Sequence, residues 1–280
     1  MASLMLGLLG AFSWAVHDLC VRKVSATQGA FPPLVSVLVL GSLVALPLTL
    51  IWAEPATAPP GAYWRAIAAG VFYAVAGVGL YKALGIGPVR LVAPIIGAYP
   101  IVSMGLAAYS GSPLTIVHWL AVFVVIGGVA FIAISSDEGA SDGDKAQAIG
   151  WSLLSGPGFA IAFALSQSAT MLADEWTMLM PMRIAAIAAT LLLALALREG
   201  LLPQRKSLWI FLIMGTLDVI AIVSVSAAGS FAYPEFAAVA ASTFGLITVV
   251  LATIFLGERL RAPQWTAVVA VFAAIGSLGL

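Results

Sequence analysis

Charged residues, cysteine and histidine are all scarce in this chain. Only 9% of its 280 residues are charged and 62% are hydrophobic, whereas a soluble domain is roughly one quarter charged. A water-soluble globule has no means of burying so much apolar surface, so a soluble enzyme or binding domain is excluded. The formal net charge is zero and the basic residues form no patch interleaved with aromatics, so nothing indicates a nucleic-acid partner.

The scarcity of metal-binding and nucleophilic residues narrows the function further. Cys20 is the only cysteine, which excludes an internal disulfide and a thiolate metal cluster. The two histidines, His17 and His118, do not have the His-Glu-x-x-His spacing of a metal hydrolase, and no phosphate-binding loop or nucleophile elbow is present. We therefore expect no enzymatic activity, no metal and no cofactor, and an ATP-driven pump is unsupported.

Long apolar segments dominate what remains. A helix needs about 20 apolar residues to cross the roughly 30 Å hydrocarbon layer of a bilayer. Runs such as Leu-Leu-Leu-Ala-Leu-Ala-Leu at 191–197 lack the alternation of a membrane strand, so the predicted fold is an all-α integral membrane protein with ten transmembrane helices. These helices are expected near residues 3–24, 31–52, 62–84, 88–109, 115–135, 148–172, 176–198, 206–230, 234–256 and 263–280. The first has no basic leader and is expected to be retained rather than cleaved as a signal peptide.

The second half of the chain repeats the first. Landmarks separated by 145 or 146 residues are the pairs Gly10 and Gly156, Trp64 and Trp209, Gly70 and Gly215, Pro88 and Pro234, Gly111 and Gly257, and Trp119 and Trp265. Only eight tryptophans are present, so two matched pairs at nearly one offset indicate a duplication. We predict a five-helix repeat at 1–135, an acidic cytoplasmic linker at 136–147, and a second five-helix repeat at 148–280.

Lys and Arg residues lie almost entirely on one side of the predicted membrane. The connections after odd-numbered helices contain ten of them, whereas the other connections contain Arg65 alone. The positive-inside rule makes the first face cytoplasmic and places both termini outside. Because each repeat has five helices, the second repeat is inverted relative to the first. We expect the chain to lie in the lipid bilayer of a bacterial-type inner membrane.

Short motifs near the repeat ends carry a family resemblance. Predicted helices four and nine open with Gly87-Pro88 and Tyr233-Pro234, and helix nine closes with Phe255-Leu-Gly-Glu-Arg-Leu260. Over its whole length the chain resembles the paired EamA domains of the drug/metabolite transporter superfamily, although Gly111-Ser-Pro-Leu replaces the charged turn in the first half. The resemblance implies an alternating-access carrier, commonly an exporter of amino acids or other small metabolites. It also implies a central cavity lined mainly by helices one, three, four, six, eight and nine.

Ionisable residues within the predicted helices are the candidates for proton or charge coupling. A charge in hydrocarbon costs at least ~2.5 kcal/mol, so such residues are functional candidates by default. The candidates are Asp18, Asp218 and Arg183. A structural ion pair with Arg183 is the alternative for Asp218. A pair with Arg22, four residues away on one helical face, is the alternative for Asp18.

Aromatic and polar residues at mid-depth are the candidates for substrate binding. They are Trp14, His17, Tyr73, Tyr99, Phe159, Phe163, Ser242 and Phe244. Trp and Tyr normally occupy membrane interfaces, so central ones predict a cavity with aromatic walls that accepts an apolar or aromatic side chain. His17 is also expected to carry or sense a proton, or to donate a hydrogen bond to a carboxylate. Ordinary packing is the alternative for the aromatic residues.

Proline and glycine inside two predicted helices mark candidate hinges. Proline in a helix interior frees a carbonyl, which in a membrane needs protein or a cavity as its partner. We expect Gly156, Pro157 and Gly158 to interrupt helix six, and Pro94 and Pro100 to remove hydrogen bonds from helix four. Kinks that serve packing alone are the alternative.

The predicted function is alternating-access export of amino acids, with apolar or aromatic side chains favoured, or of related small metabolites. One alternative is an uptake or exchange carrier for another metabolite, such as a sugar or nucleotide-sugar. The other is a non-transport membrane assembly subunit. The near absence of basic residues at mid-depth argues against a phosphorylated substrate. Substrate identity, direction, proton coupling and oligomeric state are left open by the sequence.

Overall fold

The computed structural model describes residues 2–109, 115–135, 142–231, 235–258 and 260–277, and every regular element within them is helical. The α-helices are α1 (Ala2–Gln28), α2 (Phe31–Trp52), α3 (Pro60–Ile86), α4 (Val89–Gly97), α5 (Pro100–Tyr109), α6 (Ile116–Ser135), α7 (Asp142–Thr170), α8 (Glu175–Ala196), α9 (Leu208–Ala227), α10 (Glu235–Ser242), α11 (Phe244–Phe255) and α12 (Ala262–Ser277). Short 3₁₀ turns at Arg205–Ser207 and Ala228–Ser230 flank α9. Among these residues, five helices are long and apolar enough to cross a membrane: α2, α3, α7, α8 and α9, the last together with the turn before it.

Two helix breaks lie at equivalent places in the two halves. α4 and α5 together occupy the predicted fourth segment, and the chain leaves the helix at Ala98 and Tyr99, just before Pro100. Proline has no N–H to continue the helical ladder, so this break agrees with the expected loss of hydrogen bonds. α10 and α11 divide the ninth segment at Thr243, a break that was not predicted. Thr243 lies 146 positions after Gly97, the last residue of α4.

The predicted interruption of the sixth segment, which corresponds to α7, is wrong. α7 runs without a break through Pro157. The glycine that follows serves packing, because a Cβ on Gly158 would lie 2.9 Å from the Cβ of Ala76 in α3. Pro157 removes a single backbone hydrogen bond from a helix of 29 residues, and close packing against α3 keeps that helix continuous.

Close glycine contacts hold the two halves together in an equivalent pattern. α3 packs against α7 and α8, and α9 packs in the same way against α1 and α2. A Cβ on Gly70 of α3 would lie 2.2 Å from the carbonyl oxygen of Met182 in α8. A Cβ on Gly215 of α9 would lie 2.8 Å from that of Val37 in α2. Because Gly70 and Gly215 are matched landmarks of the repeat, the halves form equivalent helix crossings.

α6 and α12 form a separate pair at the edge of this arrangement. Their contact has its own apolar cluster, which consists of Val125, Val268, Val271 and Phe272. A Cβ on Gly128 would lie 2.5 Å from a methyl group of Val271, so a small residue is needed there. The pair therefore supports the bundle without lining its centre.

The turn at 256–258, part of the motif that carries the family resemblance, caps the start of α4. Gly257 has a φ of +69°, which favours glycine. The two carboxylate oxygens of Glu258 accept hydrogen bonds from the backbone N–H groups of Val89 and Arg90, each at 3.0 Å. A carboxylate is stabilising at the positive end of a helix, so the second half of the chain caps a helix of the first. The corresponding turn of the first half, residues 111–114, lies outside the described residues.

Candidate substrate cavity

A buried cavity lies where the two halves meet. It is lined by α1, α2, α3, α7, α9 and α11, and by Tyr99 in the break between α4 and α5. Its free space is about 30 Å³, room for about two water molecules but not for a metabolite. The lining residues are Trp14, His17, Asp18, Leu34, Val37, Leu38, Tyr73, Gly77, Leu80, Tyr81, Tyr99, Phe159, Phe163, Asp218 and Phe244.

Aromatic rings form a continuous wall in this cavity. The ring of Phe163 stacks on Trp14 with centroids 5.0 Å apart and meets Tyr99 edge-on at 5.4 Å. Phe159, one turn earlier on α7, stacks on Phe163 at 5.6 Å, and Phe244 of α11 meets Trp14 at 6.3 Å. Such contacts are each worth about 0.5–1.5 kcal/mol beyond the area they bury. The wall is therefore preorganised and offers ring faces to an apolar group.

Asp218 of α9 is held by side chains from two other helices. The hydroxyl of Tyr73 on α3 donates to its Oδ1, and the guanidinium of Arg183 on α8 donates to its Oδ2. Arg183 also donates to the carbonyl oxygen of Leu38 at 3.3 Å and is 1% exposed. The ion pair that was the alternative for Asp218 is thus present and neutralises this carboxylate. Removal of one partner would leave a buried charge uncompensated.

His17 and Asp18 form a second polar group, on α1. Nδ1 of His17 lies 3.0 Å from Oδ1 of Asp18, and its Nε2 lies 3.0 Å from the hydroxyl oxygen of Tyr81. The imidazole therefore links a carboxylate to a phenol, and all three side chains are buried. Arg22 donates to the carbonyl oxygen of Leu84 at 2.8 Å. The local pair between Asp18 and Arg22 does not form, because Arg22 reaches the end of α3 instead.

Comparison with known proteins assigns the chain to a family. The sequence profile of the EamA-like transporter family matches residues 1–134 and, a second time, residues 146–279. The chain belongs to the EamA-like transporter family. A search of curated proteins finds no match. A crystal structure described only as that of a protein is 13% identical to this EamA-family chain, with a TM-score of 0.68 over 98% of this chain and 95% of the other, and it shows a shared fold alone.

Membership of the EamA-like family explains the composition of the chain. Proteins of this family are membrane transporters of small molecules rather than enzymes. The apolar helices therefore belong to an integral membrane protein, and its partners are a small-molecule substrate and the lipid bilayer.

Most of the predicted substrate-binding residues of this EamA-family chain come together in the cavity. Those that line it are Trp14, His17, Tyr73, Tyr99, Phe159, Phe163 and Phe244. Ser242 does not line it, because it is buried where α10 meets α4, with its carbonyl oxygen 3.4 Å from the position of a Cβ on Gly97. Asp18 and Asp218 line the cavity, whereas Arg183 reaches it only through Asp218.

Tyr81 and a group of smaller residues complete the lining and were not predicted. The smaller residues are Leu34, Val37, Leu38, Gly77 and Leu80. Tyr73, Gly77 and Tyr81 are four residues apart on α3 and share one helix face, so this spacing could have identified Tyr81. The five hinge candidates lie outside the lining. Within the described part of the chain, no three His, Cys, Asp or Glu side chains are placed to hold a metal ion.

Proposed function

We propose that this transporter exports amino acids, with apolar or aromatic side chains favoured, by alternating access. The observation that carries the proposal is one cavity in which aromatic rings from both halves surround two carboxylates and an imidazole. The aromatic wall suits a hydrophobic side chain, and Asp18 suits an ammonium group. The indole N–H of Trp14 is a donor for a carboxylate. A zwitterion with an apolar side chain therefore matches each part of the lining.

The basic groups near the cavity favour this substrate over a phosphorylated one. Among the described residues that line or contact the cavity, Arg183 is the permanent cation, and its guanidinium is engaged by Asp218. A phosphate or a nucleotide-sugar needs Arg or Lys donors of its own. An exchange carrier for such a substrate fits this lining less well. The transport assay below distinguishes a neutral sugar from an amino acid as the substrate.

We further propose ten membrane spans in two inverted repeats, 1–135 and 148–280, joined by the cytoplasmic linker 136–147. Each of the ten predicted segments contains a helix or a broken pair of helices, which supports this count. Ten of the twelve Lys and Arg residues fall on connections at one side, which supports a cytoplasmic face there, outer termini and a bacterial-type inner membrane.

Alternating access requires the closed cavity to enlarge. The break between α4 and α5 lies against the break between α10 and α11, as the approach of Gly97 to Ser242 indicates. Broken helices at a repeat interface are typical of the binding and moving parts of inverted-repeat transporters. We propose that Pro94 and Pro100 act as hinges at this crossing. Gly156 of α7 faces backbone carbonyl oxygens of α4, and Gly158 faces Ala76 of α3. We propose that residues 156–158 bend when the crossing of the two breaks moves.

Transport by purified protein in lipid vesicles tests the proposed function. Vesicles loaded with radiolabelled L-phenylalanine or L-leucine are expected to release both amino acids faster than protein-free vesicles. External unlabelled L-phenylalanine should accelerate this release, whereas glutamate, glucose and UDP-glucose should not. Efflux of labelled glucose or UDP-glucose from vesicles loaded with that compound, without efflux of either amino acid, would favour the alternative carrier. Absence of any transport would favour the assembly subunit.

A matched pair of variants ties the assay to the cavity. Trp14 lines the cavity and stacks on Phe163, whereas Trp209 is 65% exposed on the outer surface of α9. Trp14→Ala is expected to abolish amino-acid efflux, and Trp209→Ala is expected to retain it. An equal loss of amino-acid efflux in both variants would show that transport does not depend on this cavity.

A further inference from the structure

The two carboxylates in the cavity have different surroundings. Asp218 uses both oxygens, one toward a phenol of α3 and one toward Arg183. Asp18 is hydrogen-bonded through Oδ1 to His17, its neighbour in sequence. Arg22, the nearest permanently charged cation along α1, donates to two carbonyl oxygens at the end of α3. Asp218 therefore has a fixed countercharge, whereas Asp18 has a countercharge only when His17 is protonated.

A count of formal charge around the cavity leaves one negative charge to be balanced. The titratable groups that line the cavity with Asp18 from other elements are Tyr73 and Tyr81 of α3, Tyr99 between α4 and α5, and Asp218 of α9, with Arg183 of α8 bound to Asp218. The phenols are neutral, the charges of the ion pair cancel, and the described residues by which α2, α7 and α11 line the cavity are Leu, Val and Phe. An uncompensated charge is costly in a site shielded from water. The charge of Asp18 is therefore balanced by a proton, on its own carboxyl group or on His17, or by a cation in the cavity.

We propose that Asp18 and His17 form a shared site that holds either one proton or the ammonium group of the substrate, so that export is coupled to proton import. The inference rests on the proposed export function and names the coupling group within it. It assigns Asp218 and Arg183 a different task, since their mutual pair leaves no charge to exchange. Imidazole is suited to this exchange because it changes charge near neutral pH.

The exchange keeps the charge of the Asp18 carboxylate balanced, first by the imidazolium and then by the ammonium group of the ligand. In the substrate-free site, the His17 imidazolium donates from Nδ1 to Asp18 and from Nε2 to the hydroxyl oxygen of Tyr81. When an ammonium group reaches Asp18, the Nε2–H bond of His17 breaks and its proton passes to water on the same side of the membrane. The neutral imidazole retains its Nδ1–H, and Nε2 now accepts from the Tyr81 hydroxyl. One proton thus leaves for each ammonium group that binds.

Proton release on ligand binding tests the shared site without any transport step. The probes are L-phenylalanine, 2-phenylethylamine, which lacks the carboxylate, and 3-phenylpropionate, which lacks the ammonium group. Binding to the full-length protein in detergent is followed by tryptophan fluorescence, and proton release by a pH indicator in weak buffer. Both ammonium probes are expected to release about one proton per molecule bound, and their affinity to fall about tenfold per unit decrease in pH while the site is protonated. 3-Phenylpropionate is expected to release none.

Two variants and a control assign the released proton. His17→Gln removes the imidazole and keeps polar atoms in place, so 2-phenylethylamine should bind without proton release and with little pH dependence. Asp18→Asn should weaken binding of 2-phenylethylamine at least tenfold and also abolish release, and it carries the test if His17→Gln does not elute as a single folded species. His118→Gln changes the other histidine of the chain, which belongs to α6. This control should release protons as the unaltered protein does.

Several outcomes would overturn the shared site. Ammonium probes that bind without proton release, or a His17→Gln variant that still releases protons, would do so and leave the export function standing. Failure of both ammonium probes to bind would also overturn it. Conversely, proton release by 2-phenylethylamine from a protein that moves no amino acid in vesicles would support the shared site and contradict amino-acid export.

Discussion

The hydroxyl of Tyr73 donates a hydrogen bond to the carboxylate of Asp218, and the two residues are 145 positions apart in the chain. That separation is the offset that matches Gly70 with Gly215 on the same two helices. Arg183 donates to the carbonyl oxygen of Leu38, again 145 positions away. Residues at equivalent positions of the two repeats thus contact each other. The repeats differ in chemistry at these contacts, where a carboxylate meets a phenol and a guanidinium meets the backbone of an apolar residue.

The ion pair between Arg183 and Asp218 is expected to show strong energetic coupling. Arg183→Met leaves the Asp218 carboxylate buried without a cation and should lower the free energy of unfolding by about 3–5 kcal/mol. The double variant Arg183→Met/Asp218→Leu removes both charges and should recover most of that loss. Denaturant titrations in detergent of the unaltered protein, Arg183→Met, Asp218→Leu and the double variant give the coupling free energy. Additive effects of the two substitutions would contradict the pairing.

The crossing of α3 and α8 is expected to reject a single methyl group. A Cβ on Gly70 would lie 2.2 Å from a backbone carbonyl oxygen, so Gly70→Ala must displace a helix and should cost about 1–3 kcal/mol of stability. A Cβ on Gly105 of α5 would have nothing within 4 Å, and Gly105→Ala should be neutral or stabilising by up to about 1 kcal/mol through helix propensity. Thermal unfolding in detergent compares them. Similar melting temperatures for both variants would refute the tight crossing.

Helix positions follow from the sequence because lipid forces the backbone to satisfy its hydrogen bonds within each segment. The second segment was expected at 31–52, and α2 has those bounds. Trp14 and Tyr99 could be identified because aromatic residues at mid-depth are unusual there. Leu34 could not, since the same residue type faces both lipid and cavity. The partner of Arg22 could not be predicted either, because helix packing decides which carbonyl oxygen the guanidinium reaches.

The Glu258 cap is expected to contribute more stability than an exposed ion pair. Glu258→Ala removes both acceptors from the start of α4 and should cost about 1–2 kcal/mol. Glu199→Ala breaks the ion pair with Lys82, in which the Lys82 side chain is 21% exposed and the Glu199 side chain 41%. This loss should cost less than about 1 kcal/mol of stability. Melting temperatures of the two alanine variants provide the comparison. A larger loss for Glu199→Ala would reverse this ranking of the two carboxylates.

Phe163 is expected to determine the preference for aromatic substrates. Its ring contacts three other rings of the wall, and loss of such a ring contact weakens an aromatic ligand by about 0.5–1.5 kcal/mol, or up to about tenfold. Phe163→Ala should therefore raise the concentration of L-phenylalanine, loaded into the vesicles together with leucine, that half-inhibits leucine efflux. Inhibition by L-valine loaded in the same way should change less. Phe72→Ala changes a ring on α3 that is 37% exposed and outside the cavity, and should leave both values unchanged. Equal shifts for phenylalanine and valine would point to a general packing role.

The break before Pro100 is expected to be a moving part. Proline leaves the helical ladder without a donor at this position, and Tyr99, which lines the cavity, lies in the break. Pro100→Ala restores an N–H and favours joining α4 to α5 in one helix, which should slow maximal transport severalfold while substrate affinity and thermal stability are kept. Pro47→Ala changes a proline inside the continuous helix α2 and should leave the transport rate unaltered. If Pro100→Ala transports at the normal rate, or if both variants slow it equally, the break serves packing alone, since a hinge must respond to the stiffness of its own backbone.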